Sequence, residues 1–107
     1  MSADPILNDL YDIIQERKQN PEKKSYVASL IKGGVLKIGS KITEEAQELI
    51  ESANMDDNNH TIHEAADLLF HALVLLGYKE IHPDSVLSEL RRRFGTSGIT
   101  EKESRNK

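Results

Sequence analysis

Two short acidic clusters in the middle of this chain have the residue types and spacing of a metal-binding site. Glu44, Glu45 and Glu48 form the first cluster, and Glu64 and Asp67 form the second. Members of each cluster are close to one turn apart, so on a helix each cluster faces one way. Between positions 42 and 78 the sequence has no Lys or Arg to pair with them. Packed carboxylates without cationic partners either take up protons or bind a metal ion, and we expect a metal ion.

The donor atoms indicate which ion and which chemistry to expect. Oxygen ligands favour Mg²⁺ or Mn²⁺ over Zn²⁺, and the absence of Cys excludes thiolate sites and disulfides. Ions held by these carboxylates can neutralise a polyphosphate and lower the pKa of a bound water, leaving one carboxylate to take its proton. This chemistry indicates hydrolysis of a phosphoanhydride.

A solvated acidic helix face is the alternative interpretation of these residues. Glu is a good helix former, and exposed Glu-rich faces are common. The pair Glu64 and Asp67, however, lies in the most apolar helical segment of the chain, where carboxylates are costly unless something compensates them. We therefore favour the metal site.

Helical periodicity of the apolar residues predicts an all-α fold, a bundle of four or five helices. We see no credible strand pattern. The first predicted helix ends at Asn20-Pro21, and a short second helix begins at about Ser25. After a break at Gly33-Gly34, the third helix covers about 35–54. The fourth helix covers about 61–78, and the last helix ends at Gly95. Weak helix formers at Gly39 and Ser40 allow a later start of the third helix, nearer Lys41.

A turn-forming segment at 54–59 separates the two acidic helices. A loop of about six residues predicts that they pack antiparallel, which brings Glu48 and Glu64 level with each other. The later helix is apolar on nearly every side and must be covered all round. We therefore expect a homodimer whose core is completed between subunits.

Three basic residues are candidates for binding an anionic substrate. Lys37 and Lys41 lie just before the first acidic cluster, where they can hold a polyphosphate; ordinary surface lysines are the alternative. Arg91, which begins a run of three arginines, can reach a substrate phosphate, although cations also suit a helix C-terminus.

Aromatic and histidine residues near the clusters have less specific interpretations. Tyr26 can stack on an adenine, but its spacing to Leu30 favours a buried position. We interpret His60 and His63 as surface residues, and His71 as a core or interface residue.

Length and composition set the limits for these predictions. The 107 residues fit one domain over 1–95 followed by a flexible tail over 96–107. A net charge of −4 argues against a nucleic-acid binder. Without a secretory signal or an apolar run of membrane-spanning length, we expect a cytoplasmic protein that does not bind membranes.

The acidic motifs also resemble those of a known family. E-E-x-x-E followed by E-x-x-D is similar to the signature of the all-α nucleoside-triphosphate pyrophosphohydrolases. The segments S-Y-V-A-S-L at 25–30 and L-S-E-L-R-R-R at 87–93 more specifically resemble the bacterial phosphoribosyl-ATP pyrophosphatases of histidine biosynthesis. The resemblance covers roughly residues 5–95.

This resemblance implies an Mg²⁺-dependent hydrolysis of phosphoribosyl-ATP to phosphoribosyl-AMP and pyrophosphate by a homodimer. It implies that Glu45, Glu48, Glu64 and Asp67 are metal ligands, and that Glu44 is an auxiliary ligand or orients water. Two other functions stay open from the residues: a house-cleaning nucleoside-triphosphate pyrophosphatase, and a non-enzymatic helical dimerisation module.

Overall fold

The structure is a computed structural model that describes residues 5–95. This part of the chain contains four helices. They are α1 (Ile6–Gln19), α2 (Tyr26–Ser52), α3 (Asn58–Lys79) and α4 (Pro83–Phe94). No strand occurs in residues 5–95, which confirms the all-α prediction. The tail predicted over 96–107 lies outside the described residues.

The helix boundaries follow local capping chemistry. Helix α2 begins after Ser25, whose Oγ accepts a hydrogen bond from the backbone N–H of Ala28 at 3.0 Å, as an N-cap residue does. Helix α3 begins at Asn58, three residues earlier than predicted, because the side chain of Asp57 caps it by accepting from the N–H of Asn59 at 3.1 Å. The loop before it is correspondingly shorter than the six residues we expected.

Helix α2 is interrupted at Gly34, where the backbone has φ 71° and ψ −165°. Only glycine adopts such a conformation at little cost, so the predicted break at Gly33-Gly34 is confirmed. Helical structure resumes at once and continues through Gly39 and Ser40. The alternative of a helix start near Lys41 is therefore wrong, because burial of Ile38 in the core outweighs the low helix propensity of its neighbours.

Helices α2 and α3 form an antiparallel hairpin, and they share the most extensive packing in the described chain. Ser52 and Thr61 hydrogen-bond near the loop, while Tyr26 and His71 do so at the far end. Helix α1 packs on both, and α4 packs chiefly on α1. The fully buried apolar side chains come from the first three helices: Ile14, Leu30, Ile38 and Val74.

The outward faces of the hairpin carry large apolar side chains that nothing in residues 5–95 covers. On α2, Leu36 is 87% exposed and Ile50 is 61% exposed; on α3, Ile62 is 65% exposed and Leu69 is 62% exposed. The members of each pair lie a whole number of turns apart, so each pair is on one face. Within residues 5–95, no helix has the length and apolar character needed to span a membrane.

Candidate metal centre

The two acidic clusters meet across the α2–α3 hairpin. Partial burial, the negative charge of Glu45 and the neighbouring carboxyl group of Glu64 together raise the pKa of the Glu48 carboxyl. Glu48 lies on α2 and Glu64 on α3, so this proximity joins the clusters as the antiparallel arrangement predicts. The hairpin thus concentrates negative charge at one place between two helices.

Two carboxylates of this site are buried without full hydrogen bonding. Glu45 is 5% exposed and Glu64 is 7% exposed. In each of them the Oε1 atom is inaccessible and has no hydrogen-bond partner in residues 5–95. A buried anionic oxygen without a partner is costly, and a divalent cation is the partner that an all-oxygen donor set accepts best. The residues present therefore fit a hard metal ion.

The ligand atoms are close enough together to share such an ion. Glu44, Glu45 and Glu48 each offer one oxygen within 4.8 Å of the others. On α3, one oxygen each of Glu64 and Asp67 and one nitrogen of His63 also lie within 4.8 Å of one another. Each helix thus contributes a set of convergent donor atoms to the site.

Lys41, predicted to lie just before the first acidic cluster, forms ion pairs with it that were not predicted. Its Nζ lies 3.1 Å from Oε1 of Glu44 and 3.6 Å from Oε2 of Glu45. Hydrogen bonding to Glu44, and to a lesser extent the charges of Tyr26 and the two glutamates, raise the pKa of Lys41. The expectation of clusters without any cationic partner is wrong for Glu44 and Glu45, because Lys41 lies one helical turn before them.

Histidines on α3 contact the second acidic cluster from the preceding turn. His63 Nε2 lies 3.3 Å from Oδ2 of Asp67, and His60 Nε2 lies 3.6 Å from Oε2 of Glu64. Both rings are at the surface, as predicted, with side chains 69% and 41% exposed. These two contacts were not predicted, although a spacing of four residues is the sequence signal for them.

A short hydrogen-bonded chain links Tyr26 to the backbone of the site. The Nδ1–H of His71 donates to the carbonyl of Asp67 at 2.7 Å, since a carbonyl only accepts. In the neutral ring, Nε2 then accepts from the Tyr26 hydroxyl, also at 2.7 Å. The predicted burial of His71 is confirmed.

The predicted burial of Tyr26, in contrast, is wrong, since this residue is 50% exposed. Its position in the first turn of α2 leaves one ring face open, while the ring stacks on Phe70 with centroids 6.3 Å apart. The spacing to Leu30 does not bury Tyr26, because Leu30 belongs to the core-facing side of the helix together with Val27.

The other two predicted substrate-binding residues lie apart from this arrangement. Lys37 Nζ donates to the carbonyl of Ser29 at 3.4 Å, across the break in α2. Arg91 donates to Oγ of Ser88 on its own helix, α4. In residues 5–95, Lys41 alone of the three contacts the acidic clusters.

The sequence of this chain is similar to the sequences of known proteins. A family model described as phosphoribosyl-ATP pyrophosphohydrolase matches residues 7–94. A phosphoribosyl-ATP pyrophosphatase of Geotalea daltonii is 52% identical over 104 residues, which cover 97% of this chain and 98% of that relative. The corresponding protein of Geobacter metallireducens is 49% identical, over 97% of this chain and 95% of the relative.

A further relative is larger than this chain. It is a histidine biosynthesis bifunctional protein of Helicobacter hepaticus, 51% identical over 100 residues. The match covers 94% of this chain but only 43% of that relative.

Proposed function

Because the chain belongs to the phosphoribosyl-ATP pyrophosphohydrolase family, we propose that the facing carboxylate clusters of α2 and α3 are its Mg²⁺-dependent active site. The protein hydrolyses phosphoribosyl-ATP in histidine biosynthesis. Water and phosphoribosyl-ATP give phosphoribosyl-AMP and pyrophosphate, with cleavage of one phosphoanhydride bond. The single observation that carries the assignment of the site is the pair of buried, unpartnered carboxylate oxygens on Glu45 and Glu64.

Four carboxylates would hold the metal. Glu45 and Glu64 provide the buried oxygens, Glu48 bridges the two helices, and Asp67 is the half-buried member on α3. Mg²⁺ bound there supplies positive charge to the polyphosphate and acidifies a coordinated water. Mn²⁺ has the same preference for oxygen ligands and is an expected substitute.

Glu44 and Lys41 have separate tasks in this proposal. Glu44 is exposed and held by Lys41 rather than buried among the other acids. It is positioned to orient the attacking water and accept its proton. The Lys41 ammonium, fixed at the edge of the carboxylates, can contact a phosphate oxygen of the substrate. Loss of Lys41 should therefore weaken substrate binding more than metal binding.

The uncovered apolar faces of the hairpin support a homodimer. Leu36 and Ile50 on α2, and Ile62 and Leu69 on α3, are each more than half exposed. Side chains of this size stabilise a fold only when they leave water, and the largest apolar patches of soluble proteins mark interaction sites. We propose that a second copy of the chain covers these faces.

An assay of pyrophosphate release tests the enzymatic proposal directly. Purified protein is incubated with phosphoribosyl-ATP, with and without Mg²⁺, and in parallel with a panel of nucleoside triphosphates. We expect Mg²⁺-dependent release from phosphoribosyl-ATP and at most weak release from the panel. Similar rates for all substrates would favour a house-cleaning pyrophosphatase instead.

A pair of variants links the activity to the site. Glu45→Gln combined with Asp67→Asn should abolish turnover while the oligomeric state is kept, because both substitutions preserve shape and remove anionic ligands. Glu51→Gln is the matched control: it makes the same change on α2 at an exposed carboxylate bonded to Gln47. Full activity in the double variant would contradict the site.

A further inference from the structure

A basic cavity lies beside the first turns of α2. It has a volume of about 450 Å³ and is formed by the last turns of α1, the loop that follows, and the start of α2. Four of its lining residues are cationic, and no lining residue is acidic: Arg17, Lys18, Lys24 and Lys32. In a chain with a net charge of −4, this concentration of positive charge is unusual.

Two of these cations have no partner of their own. Lys18 is engaged, since its ammonium donates to the carbonyls of Gly77 and Tyr78 and pairs with Glu80, so it contributes mainly its aliphatic stem. Lys24 and Lys32, in contrast, have no hydrogen bond or ion pair with any residue in 5–95. The cavity therefore presents uncompensated ammonium groups to solvent.

Arg17 adds a third source of positive charge that is partly available. Its Nη1 is bonded to the carboxylate of the adjacent Glu16, while its remaining nitrogens have no partner among residues 5–95. A guanidinium group can bind a phosphate through two parallel N–H groups. Together with Lys24 and Lys32, it can surround a single anionic group from three sides.

The remaining walls suit an organic phosphate rather than a bare ion. Pro21, Ala28 and Ile31 contribute apolar surface that can pack against a carbon skeleton. Such surface also lowers the local dielectric and strengthens charge interactions. Ser25, the N-cap of α2, lines the same cavity, so the positive end of the helix dipole points the same way as the cations.

The cavity and the carboxylate site are neighbours through one residue. Tyr26 follows the cavity residue Ser25, and its hydroxyl bonds to His71, which in turn bonds to the backbone of Asp67. A ligand that reached from the cavity to the carboxylates would pass over Tyr26, which is 50% exposed.

We propose that this basic cavity binds the phosphomonoester at the end of the phosphoribosyl group of the substrate. The inference rests on the proposed function. Phosphoribosyl-ATP carries a triphosphate at one end and a single phosphate at the other, so it needs two separate sites of positive charge. The carboxylate-bound metal serves the triphosphate, and the cavity distinguishes this substrate from ordinary nucleoside triphosphates, which lack the second phosphate.

The test compares neighbouring lysines with the same charge and different positions. Lys24→Met combined with Lys32→Met removes both unpaired cations, whereas Lys23→Met makes the same change at an adjacent residue outside the cavity. For the double variant, we expect kcat/KM for phosphoribosyl-ATP to fall by about tenfold or more, since each charged hydrogen bond is worth roughly that factor. Competitive inhibition by ribose 5-phosphate should weaken to a similar extent in the double variant. The control variant should match the unmodified protein in both measurements.

The outcomes separate the two proposals. If the unmodified protein cleaves phosphoribosyl-ATP but the double variant keeps its kcat/KM and its inhibition by ribose 5-phosphate, the cavity proposal is overturned and the proposed function stands. If ribose 5-phosphate binding is lost but kcat/KM is unchanged, the cavity holds an adventitious ion only, which also overturns the proposal. No cleavage by the unmodified protein overturns both. Circular dichroism shows whether the double variant is folded. If it is not, Lys24→Met alone replaces it, because Lys24 lies in a loop.

Discussion

Glu48 on α2 and Glu64 on α3 bring their carboxyl groups close enough across the helical hairpin for Glu64 to raise the pKa of Glu48. This proximity joins two motifs separated by fifteen intervening residues. The proximity of these acids lowers the stability of the hairpin unless protons or cations compensate the charge. The stability of the metal-free protein should therefore report on the site as directly as catalysis does.

Replacement of Glu48 should change the pH dependence of stability. Burial and the neighbouring acids raise the folded-state pKa of Glu48, so the folded protein holds this proton more tightly than the unfolded chain does. The metal-free protein should lose stability as the pH rises from about 4.3, the ordinary pKa of Glu, through the raised value. Glu48→Gln removes this loss, and the variant should be more stable than the unmodified protein at pH 7. Urea unfolding in the presence of a chelator, at several pH values, measures the difference. Parallel pH profiles for the two proteins would contradict it.

Magnesium should stabilise the folded protein through the buried carboxylates. Ligand binding to the folded state alone stabilises it by roughly 2.7 kcal/mol at a hundredfold excess over the dissociation constant. We expect Mg²⁺ to raise the melting temperature of the unmodified protein and to leave that of Glu64→Gln nearly unchanged. Glu51→Gln, at an exposed position on α2, should respond like the unmodified protein. An equal response in all three proteins would mean that the ion binds elsewhere.

Two glycines in helix interiors should respond oppositely to the same substitution. A Cβ at Gly77 would lie 2.6 Å from Cγ2 of Ile14, and Ile14 is fully buried, so it has little room to move. Gly77→Ala should destabilise the protein by about 1–3 kcal/mol through overpacking between α1 and α3. A Cβ at Gly39 would meet nothing within 4 Å, so Gly39→Ala should stabilise by about 0.5–1 kcal/mol through helix propensity. Chemical denaturation of both variants measures the change in the free energy of unfolding. A change of the same sign in both variants would show that packing at Gly77 does not decide the outcome.

A charge on the outward face of α3 should disrupt self-association. Leu69→Lys places an ammonium group on the face that we propose a second copy covers, where burial of an unpaired charge is costly. Sedimentation equilibrium should show a shift from dimer towards monomer. Leu90→Lys, at a half-exposed residue of α4, introduces the same charge away from the hairpin and should leave the mass unchanged. Monomeric unmodified protein would contradict the dimer outright.

Much of this fold is predictable from local sequence signals. The end of α1 at Asn20, the break at Gly34 and the antiparallel pairing of the acidic helices all follow from residues whose backbone preferences are strong. The start of α3 was misplaced because Asn58 and Asn59 favour turns by themselves, and only the cap by Asp57 draws them into the helix. Burial of Ile38 in the core likewise keeps α2 continuous through Gly39 and Ser40. Helix propensity alone does not predict this continuity.

The acidic residues of the candidate site and the position of Lys41 beside them were predictable, whereas the ion pairs of Lys41 and the basic cavity were not. Glu44, Glu45, Glu48, Glu64 and Asp67 can be identified because helical spacing alone brings them together. The basic cavity was not foreseen, since it joins Arg17 to Lys32 across a loop, and no periodic pattern links those positions. A long side chain such as that of Lys41 reaches a full turn along a helix. The absence of Lys and Arg between positions 42 and 78 therefore does not exclude a cationic partner from outside that interval.

The unusual backbone at Gly34 means that the two segments of α2 do not share a helical phase. Along an ordinary helix, deleting one residue rotates everything beyond it by about 100° relative to everything before. Here a left-handed residue separates the segment bearing the cavity from the segment bearing the carboxylates, and each segment is anchored to the core by its own side chains. A change in the direction of the first segment at Gly34 would therefore leave unchanged the helical phase of the ligands that face α3.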